Sequence, residues 1–353
     1  MGRRRGLTAE DIAKLSGVSR TTVFAVVKGK PGVSPRTRER VWEAIREHGY
    51  ANGLVQKSLL SEVSKTVGVV VGSINNPFYT EVVSGIHNVL RAEGFQRMLY
   101  HGTEDRPEEG IEAFGAQKTY DLRGYIVSAG EVEQYHDHLR WLQRMRRPLV
   151  TIMEAPGLPT HTVRFDNRKA NRDATNYLID KGHRKIAFLT GPVRSATSKE
   201  RTIGMMESLV EHEIPFQDNM IVRGGDTPAD GYHAALRVLT NESYRPTALI
   251  CCNDMVAIGC YRAAHELELR IPDDISIVGF DGIEMGEVMG PPLTTLSVFP
   301  REIGRMSAEL LLQIIHGEAG RSEQPIEKVV EHRLIERNSV RDLNVGAPNR
   351  SHL

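Results

Sequence analysis

From residue 66 onward, apolar β-branched runs alternate with amphipathic helical patterns, and this alternation limits the fold more than any other feature of the chain. TVGVVV, QRMLYHG, GYIVSA and PLVTIME read as strands, with helices expected at EVVSGIHNVLRAEGF, around 107–118 and at 131–145. TVGVVV has no polar face, which suits a strand covered on both sides. From residue 164 the rhythm resumes as ANRDATNYLIDKGH, KIAFLTG, ERTIGMMESLVEHE, NMIVRG, ADGYHAALRVLT, TALICC, DMVAIGCYRAAHELE and ISIVGFDG. Such alternation predicts parallel sheets with helices on both faces, here two α/β lobes in series that enclose a cleft.

Open parallel sheets bind ligands beyond the C-terminal ends of their strands. Polar residues stand at those places. Asn75, Asn76, Phe78 and Tyr79 follow the first strand, Glu154 the fourth; Asp166 and Asn167 begin the second lobe and Arg201 starts a helix. Asn253 and Asp254 follow TALICC, and Asp281 follows ISIVGF. Carboxylates and amides opposite an arginine suit a hydroxyl-rich or amide-bearing small molecule. Each residue alone also fits a helix cap or turn, Asn253 above all. Catalysis finds little support: the chain lacks GxGxxG after its first strand, a Walker loop, a G-x-S-x-G elbow and HExxH. His183, between a helix and a strand, fits a structural hydrogen bond. No catalytic residue, metal ligand or cofactor is expected.

The formal net charge is zero, but it is unevenly divided. Residues 1–60 hold 12 Lys/Arg against 5 Asp/Glu, leaving 33 against 40 in the remainder. A basic head on a mildly acidic body points to a polyanion as partner of the head alone. Cys251, Cys252 and Cys260 lack the spacing of a disulfide framework or metal site and read as core thiols in a reducing compartment. MGRRRGLTAEDIAKL meets acidic residues where a secretory signal needs an apolar run, and no stretch of about 18 apolar residues is present to span a membrane. A cytoplasmic protein without a membrane partner is expected.

Within the head, Thr8 and Asp11 resemble a capping box, with Ile12 and Leu15 apolar and Gly17 stopping the helix. Ser19 caps a second helix whose Val23, Val26 and Val27 face inward; Ser34 and Pro35 open a third, with Val41, Trp42 and Ile45 on one side. Three short helices with a glycine turn between the first two make a helix-turn-helix, whose second helix enters the major groove by its N-terminal end. Arg20 and Thr21 are then placed to read bases, and Ala25 to touch at most a thymine methyl. Thr8, Thr22, Lys28, Arg36 and Arg38 are expected at phosphates. The stretch YANGLVQKSLLSEVSKT is too short for its own core. It reads as a linker, or as a segment that orders on DNA with Lys57 beside the backbone and Leu59 wedged into the minor groove.

These pieces together resemble the lactose-repressor and purine-repressor family of bacterial transcription regulators. The likeness runs through TAEDIAKLSGVSRTTV, GKPGVSPRTRERVWEAIREHGY, KSL, INNPFY, FDN, YLIDKGHRKIAFLTGP, RPTALICCNDMVAIG, IPDDISIVGFDGIE, PPLTTLSVFP and RLIERNSV, in order and over nearly the whole chain. It implies a homodimer that represses from a near-palindromic double-stranded operator under control of a small polar, sugar-like effector. It also implies a head over 1–50, a hinge over 51–65, a first lobe of 66–163 plus 293–327, a second lobe of 164–292 plus 328–345, and a tail from 346 to 353. Arg20, Thr21 and Ala25 match base-reading positions, Leu59 the wedge, and Lys57 a hinge position that is commonly arginine. Asp166, Arg201, Asn253 and Asp281 match effector positions, with Asn76, Glu154 and Tyr79 beside them. Three departures stand out. Phe24 and Ala25 replace a serine and a basic residue common in the family, Asp226 stands where an aromatic ring often stacks on the effector, and Phe299 replaces a frequent glutamine in LTTLSVFP. A solute-binding protein without a DNA role, or a sugar- or nucleoside-processing enzyme, remains the alternative; the basic head argues against both.

Overall fold

The computed structural model describes residues 9–27, 32–47, 65–102, 114, 122–128, 135–155, 157–192, 195–317 and 324–345. They fall into two compact units, a helical head and an α/β core.

The head contains α1 (Ala9–Leu15), α2 (Arg20–Val27) and α3 (Pro35–Glu47). Gly17 takes φ +62° between α1 and α2, a conformation that glycine adopts without a steric penalty. The Ser19 hydroxyl accepts the Thr22 N–H at 3.1 Å, and that of Ser34 accepts the Thr37 N–H at 3.2 Å, so both following helices begin at their capping serines. Ile12, Val23, Val26 and Val41 are fully buried with Ala9 and Ala13, while Phe24 and Ile45 pack against them from the rim. Trp42 departs from expectation: it is 40% exposed. One residue is a 100° step around a helix, which turns Trp42 off the face that Val41 and Ile45 share. Of the hinge expected over 51–65, residues 51–64 lie outside the described residues.

The core holds two six-stranded sheets. In the first the order is β11 (Glu327–Val329), β5 (His161–Arg164), β4 (Leu149–Ile152), β3 (Leu122–Val127), β1 (Thr66–Val71) and β2 (Gln96–His101). α4 (Pro77–Ala92), α5 (His136–Arg144) and α10 (Pro300–His316) accompany it. In the second the order is β12 (Arg333–Ile335), β10 (Thr294–Ser297), β9 (Ser276–Asp281), β8 (Ala248–Cys251), β6 (Ile186–Thr190) and β7 (Ile221–Arg223). Its helices are α6 (Asn167–Asp180), α7 (Ala196–Glu211), α8 (Pro228–Leu239) and α9 (Asp254–Glu266). β1 and β8 are apolar and buried almost throughout, as central parallel strands must be. The helix expected around 107–118 falls outside the described residues apart from Phe114, and the one expected over 131–145 is described only from His136.

The points where the chain changes lobe differ from those expected. β10 lies parallel to β9, from Thr294 opposite Val278 to Ser297 opposite Asp281, so the chain leaves the second lobe after Ser297 and not at residue 293. Arg164 closes β5, which places it in the first lobe. The terminal strand expected near 328–335 is two strands: Glu327–Val329 runs parallel to β5 in the first sheet, and Arg333–Ile335 runs antiparallel to β10 in the second. Short, largely polar segments carry β5 (HTVR), β10 (TTLS) and β11 (EKV), and their polar side chains hide the strand signal. In β10 the sheet buries Thr294, Thr295 and Ser297, giving Thr294 the N–H of Arg337 and Thr295 the carboxylate of Asp254 as partners.

Helices pack in close pairs: α4 with α10, α6 with α7, α8 with α9. Each contact is made over glycine. A Cβ on Gly85 would overlap the Arg301 carbonyl oxygen, one on Gly204 that of Arg168, and one on Gly259 that of Pro228. In both sheets the strand order reverses beside the first strand of the lobe, β1 between β2 and β3, β6 between β7 and β8. In open parallel sheets such reversals form crevices at the strands' C-terminal ends, where ligands bind.

Candidate functional site

Arg201 gathers residues from the strand ends of the second lobe, among them Cys252 after β8 and Phe280 in β9. It belongs to the second turn of α7, which starts at Ala196 and is capped by Ser195, so it does not begin the helix as expected. Its side chain is 6% exposed. Nε donates to Oδ1 of Asn167 at 2.8 Å, Nη1 donates to the Cys252 carbonyl, and the guanidinium lies 3.4 Å above the centre of the Phe280 ring. Burial lowers the pKa of this guanidinium, and the nearby Asp281 carboxylate counters that shift most strongly.

Asp281 ends β9 with φ +113°, outside the usual range for any residue with a side chain. It is 5% exposed, and among the described residues no donor reaches its carboxylate. Burial, then the neighbouring Asp254, drive its pKa well above the ordinary carboxylate range, with Arg201 opposing. Asp254 has the contrary surroundings: Oδ1 accepts the Thr295 hydroxyl at 2.6 Å, and Oδ2 accepts the amides of Gly282 and Ile283 at 2.9 Å each. Burial still lifts it to about 6. Its bonds pin the turn that presents Asp281.

Three expected effector residues are helix caps. Asn76 accepts the Phe78 N–H at 3.0 Å, Asp166 the Lys169 N–H at 2.9 Å, and Asn253 the Val256 N–H at 2.7 Å. Asn253 also donates through Nδ2 to the Asp226 carbonyl at 3.0 Å, tying the β7–α8 loop to the end of β8. Asp226 itself is exposed and lies close enough to the Cys252 thiol to raise its pKa, as Asp281 does. Tyr79 is half-buried, packs edge-on against Phe78 with centroids 5.1 Å apart, and comes near enough to Arg201 to act on it electrostatically. Glu154 does not join them. Its exposed carboxylate lies 3.1 Å from Nε of Arg164, which also holds Glu327 at 2.7 Å. The position just past β4 leaves Glu154 beside that arginine at the end of the neighbouring strand.

Asn167 and Asp254 stood among the polar strand-end residues but were not matched to effector positions, and Phe280 was not singled out at all. Phe280 had a legible signal, an aromatic directly before Asp281, but alternation assigns it to the core. His183 is a buried structural residue, with Nδ1 2.9 Å from the Thr247 hydroxyl and Nε2 3.1 Å from the Arg341 carbonyl. Cys251, Cys252 and Cys260 are buried free thiols.

In the head, Arg20 and Thr21 are exposed on the first turn of α2, and Ala25 is half-buried. The Arg20 guanidinium carbon lies 5.5 Å from the centre of the Phe24 ring. Arg36 is exposed, whereas Nη1 of Arg38 donates to the Val26 carbonyl at 3.3 Å and so binds α3 to the end of α2. The Thr22 hydroxyl shares a 2.8 Å bond with that of Ser19. Thr8, Lys28, Lys57 and Leu59 lie outside the described residues.

Residues 8–52 match the bacterial regulatory proteins of the lacI family, and residues 175–340 match a periplasmic binding protein-like domain. The HTH-type transcriptional repressor PurR of Proteus mirabilis is 35% identical over 341 residues, covering 95% of this chain and 97% of its own. This chain belongs to the lacI family. PurR of Yersinia pestis is 33% identical with the same coverage. Among solved structures, the CelR–cellobiose complex superposes with a TM-score of 0.70 at 29% identity, covering 95% of this chain and all of the other. The lac repressor dimer bound to operator and the anti-inducer ONPF gives 0.71 at 26%, covering 96% and 100%. As a lacI-family member the protein is an effector-responsive, DNA-binding transcriptional repressor and not an enzyme. Among the described residues, no helix is long and apolar enough to cross a membrane.

Proposed function

We propose that the effector of this repressor is a small molecule rich in hydroxyl or amino groups, bound between Arg201 and Asp281. The observation that carries this reading is the Asp281 carboxylate, buried beside an arginine and without a donor among the described residues. A carboxylate on a side chain only 5% exposed, facing an arginine, favours a ligand that supplies an N–H or O–H. Arg201 offers the complementary donor. Asp226 and Tyr79 line the same region, and the caps Asn76, Asp166 and Asn253 hold the strand-end loops in shape. CelR was solved with cellobiose, which supports a polar ligand in this fold.

Two chains form a homodimer whose paired heads read a near-palindromic operator in the cytoplasm, where the DNA is. Arg20 and Thr21 contact base edges, Arg36 a phosphate, and Lys57 and Leu59 the hinge and minor groove. Arg38 and Thr22 serve the fold of the head first. Glu154 is left out of the effector site. Purified full-length protein incubated with genomic fragments should enrich a two-fold symmetric sequence. Effectors are then found by titrating sugars, polyols, amino sugars and nucleobases against that complex. Failure to enrich any sequence at low salt overturns the operator reading, and an effector response that survives Asp281→Asn overturns the cleft assignment.

A further inference from the structure

The recognition helix carries an aromatic ring that the operator-reading function does not by itself require. Phe24 is four residues after Arg20 on α2, and residues at that spacing share one face of a helix. Side chains on a helix lean toward its N-terminus, so the ring of residue 24 covers the turn that holds residue 20. The structure shows that contact, with the guanidinium carbon 5.5 Å from the ring centre. Phe24 is anchored in turn. It is half-buried and packs on the cluster formed by Ala9, Ile12, Ala13, Val23, Val26 and Val41. Among the described residues, no carboxylate or carbonyl takes the N–H groups of Arg20, so the ring is what holds it.

We propose that Phe24 is a positioning residue for Arg20 and sets how strictly this repressor discriminates at one base pair of its operator. Arginine carries large rotamer freedom, and free arginines at a groove must order on binding. Cation–π attraction to a ring takes up none of the guanidinium N–H groups, and these form the bidentate contact with O6 and N7 of guanine. The ring thus restrains the side chain without using the atoms that read. The same construction occurs in the core, where Phe280 lies under Arg201.

The inference rests on Arg20 reading a base, and the test separates the two. Full-length variants are titrated against the operator recovered by fragment selection and against versions substituted at each base pair. Arg20→Ala should lose discrimination at a single symmetric pair, which identifies the base read. Phe24→Leu, which keeps an apolar side chain on the head's small core, should lose about two- to fivefold at that pair and nowhere else, the scale of an exposed cation–π contact. Phe24→Tyr keeps the ring and should retain full discrimination. Placed on Arg20→Ala, Phe24→Leu should add nothing. If Phe24→Leu discriminates as the unaltered protein does, or weakens all sequences equally with and without Arg20, the positioning role is overturned while the Arg20 contact stands. If Arg20→Ala discriminates normally, the base contact and the positioning role both fall.

Discussion

At the scale of single residues, the cleft holds two carboxylates with opposite fates. Asp254 has three donors and Asp281 has none among the described residues, yet burial raises both. Their folded pKa values exceed the unfolded value of 3.8, so between that value and about 6 the folded chain binds more protons than the unfolded one. Stability contributed by Asp254 is therefore present at the acid end of that window and is lost as pH rises through 6, and Asp281, whose folded pKa is also raised, contributes with the same sign. Asp281→Asn removes the charge while keeping the shape. Urea unfolding should show the variant more stable at pH 7 by about 1 kcal/mol or more, with a shallower decline as pH rises above the ordinary carboxylate range. The same variant should bind effector about 10- to 100-fold more weakly, the cost of losing a charged hydrogen bond. A site that gains stability when its ligand contact is removed is one shaped for binding. The φ of +113° at Asp281 fits that account, because strained backbone is maintained where surrounding bonds over-determine it, here those of Asp254.

At the scale of elements, helix pairs packed over glycine make a test in which two effects have opposite signs. Alanine in place of Gly259 within α9 should gain about 1 kcal/mol from helix propensity alone. The Cβ would meet the Pro228 carbonyl of α8, and overpacking of this kind costs about 1–3 kcal/mol or more. A lowered urea midpoint for Gly259→Ala is expected; a raised one would mean that α8 and α9 separate freely. Continuous apolar strands and capped amphipathic helices were legible in the sequence because one segment carries their whole signal: TVGVVV, TALICC, and Asn253 before its helix. β5, β10 and β11 were not. Their polar side chains become strand residues only through partners far away, as Thr295 does through Asp254. The site divides in the same way. Arg201 and Asp281 came from position and resemblance, but the Phe280 ring beneath Arg201 and the bonds that fix Asp281 arise from packing between elements. Glu154 matched by position and is turned to Arg164 instead.

At the scale of the whole molecule, the acidic body and basic head predict a specific salt response. The operator affinity should fall linearly on logarithmic axes as salt rises, since neutralised phosphates release counterions. Arg36→Ala, which removes one phosphate contact from each head of the dimer, should reduce that slope by about 2 and leave thermal stability unchanged. Arg38→Ala should also lower the head's melting temperature, because Arg38 holds the Val26 carbonyl. Linkage sets a further expectation. Whatever factor a saturating effector imposes on operator affinity, saturating operator must impose on effector affinity, and titration calorimetry with and without DNA measures both.

The two terminal strands also affect the order in which the protein is made. The head ends at Glu47, so a growing chain can fold it early, whereas the first lobe lacks α10 and β11 until residues 300–316 and 327–329 have been synthesised. The second lobe lacks its last strand until Ile335. A ribosome that stalls or releases the chain early would leave a folded head without a completed effector sensor.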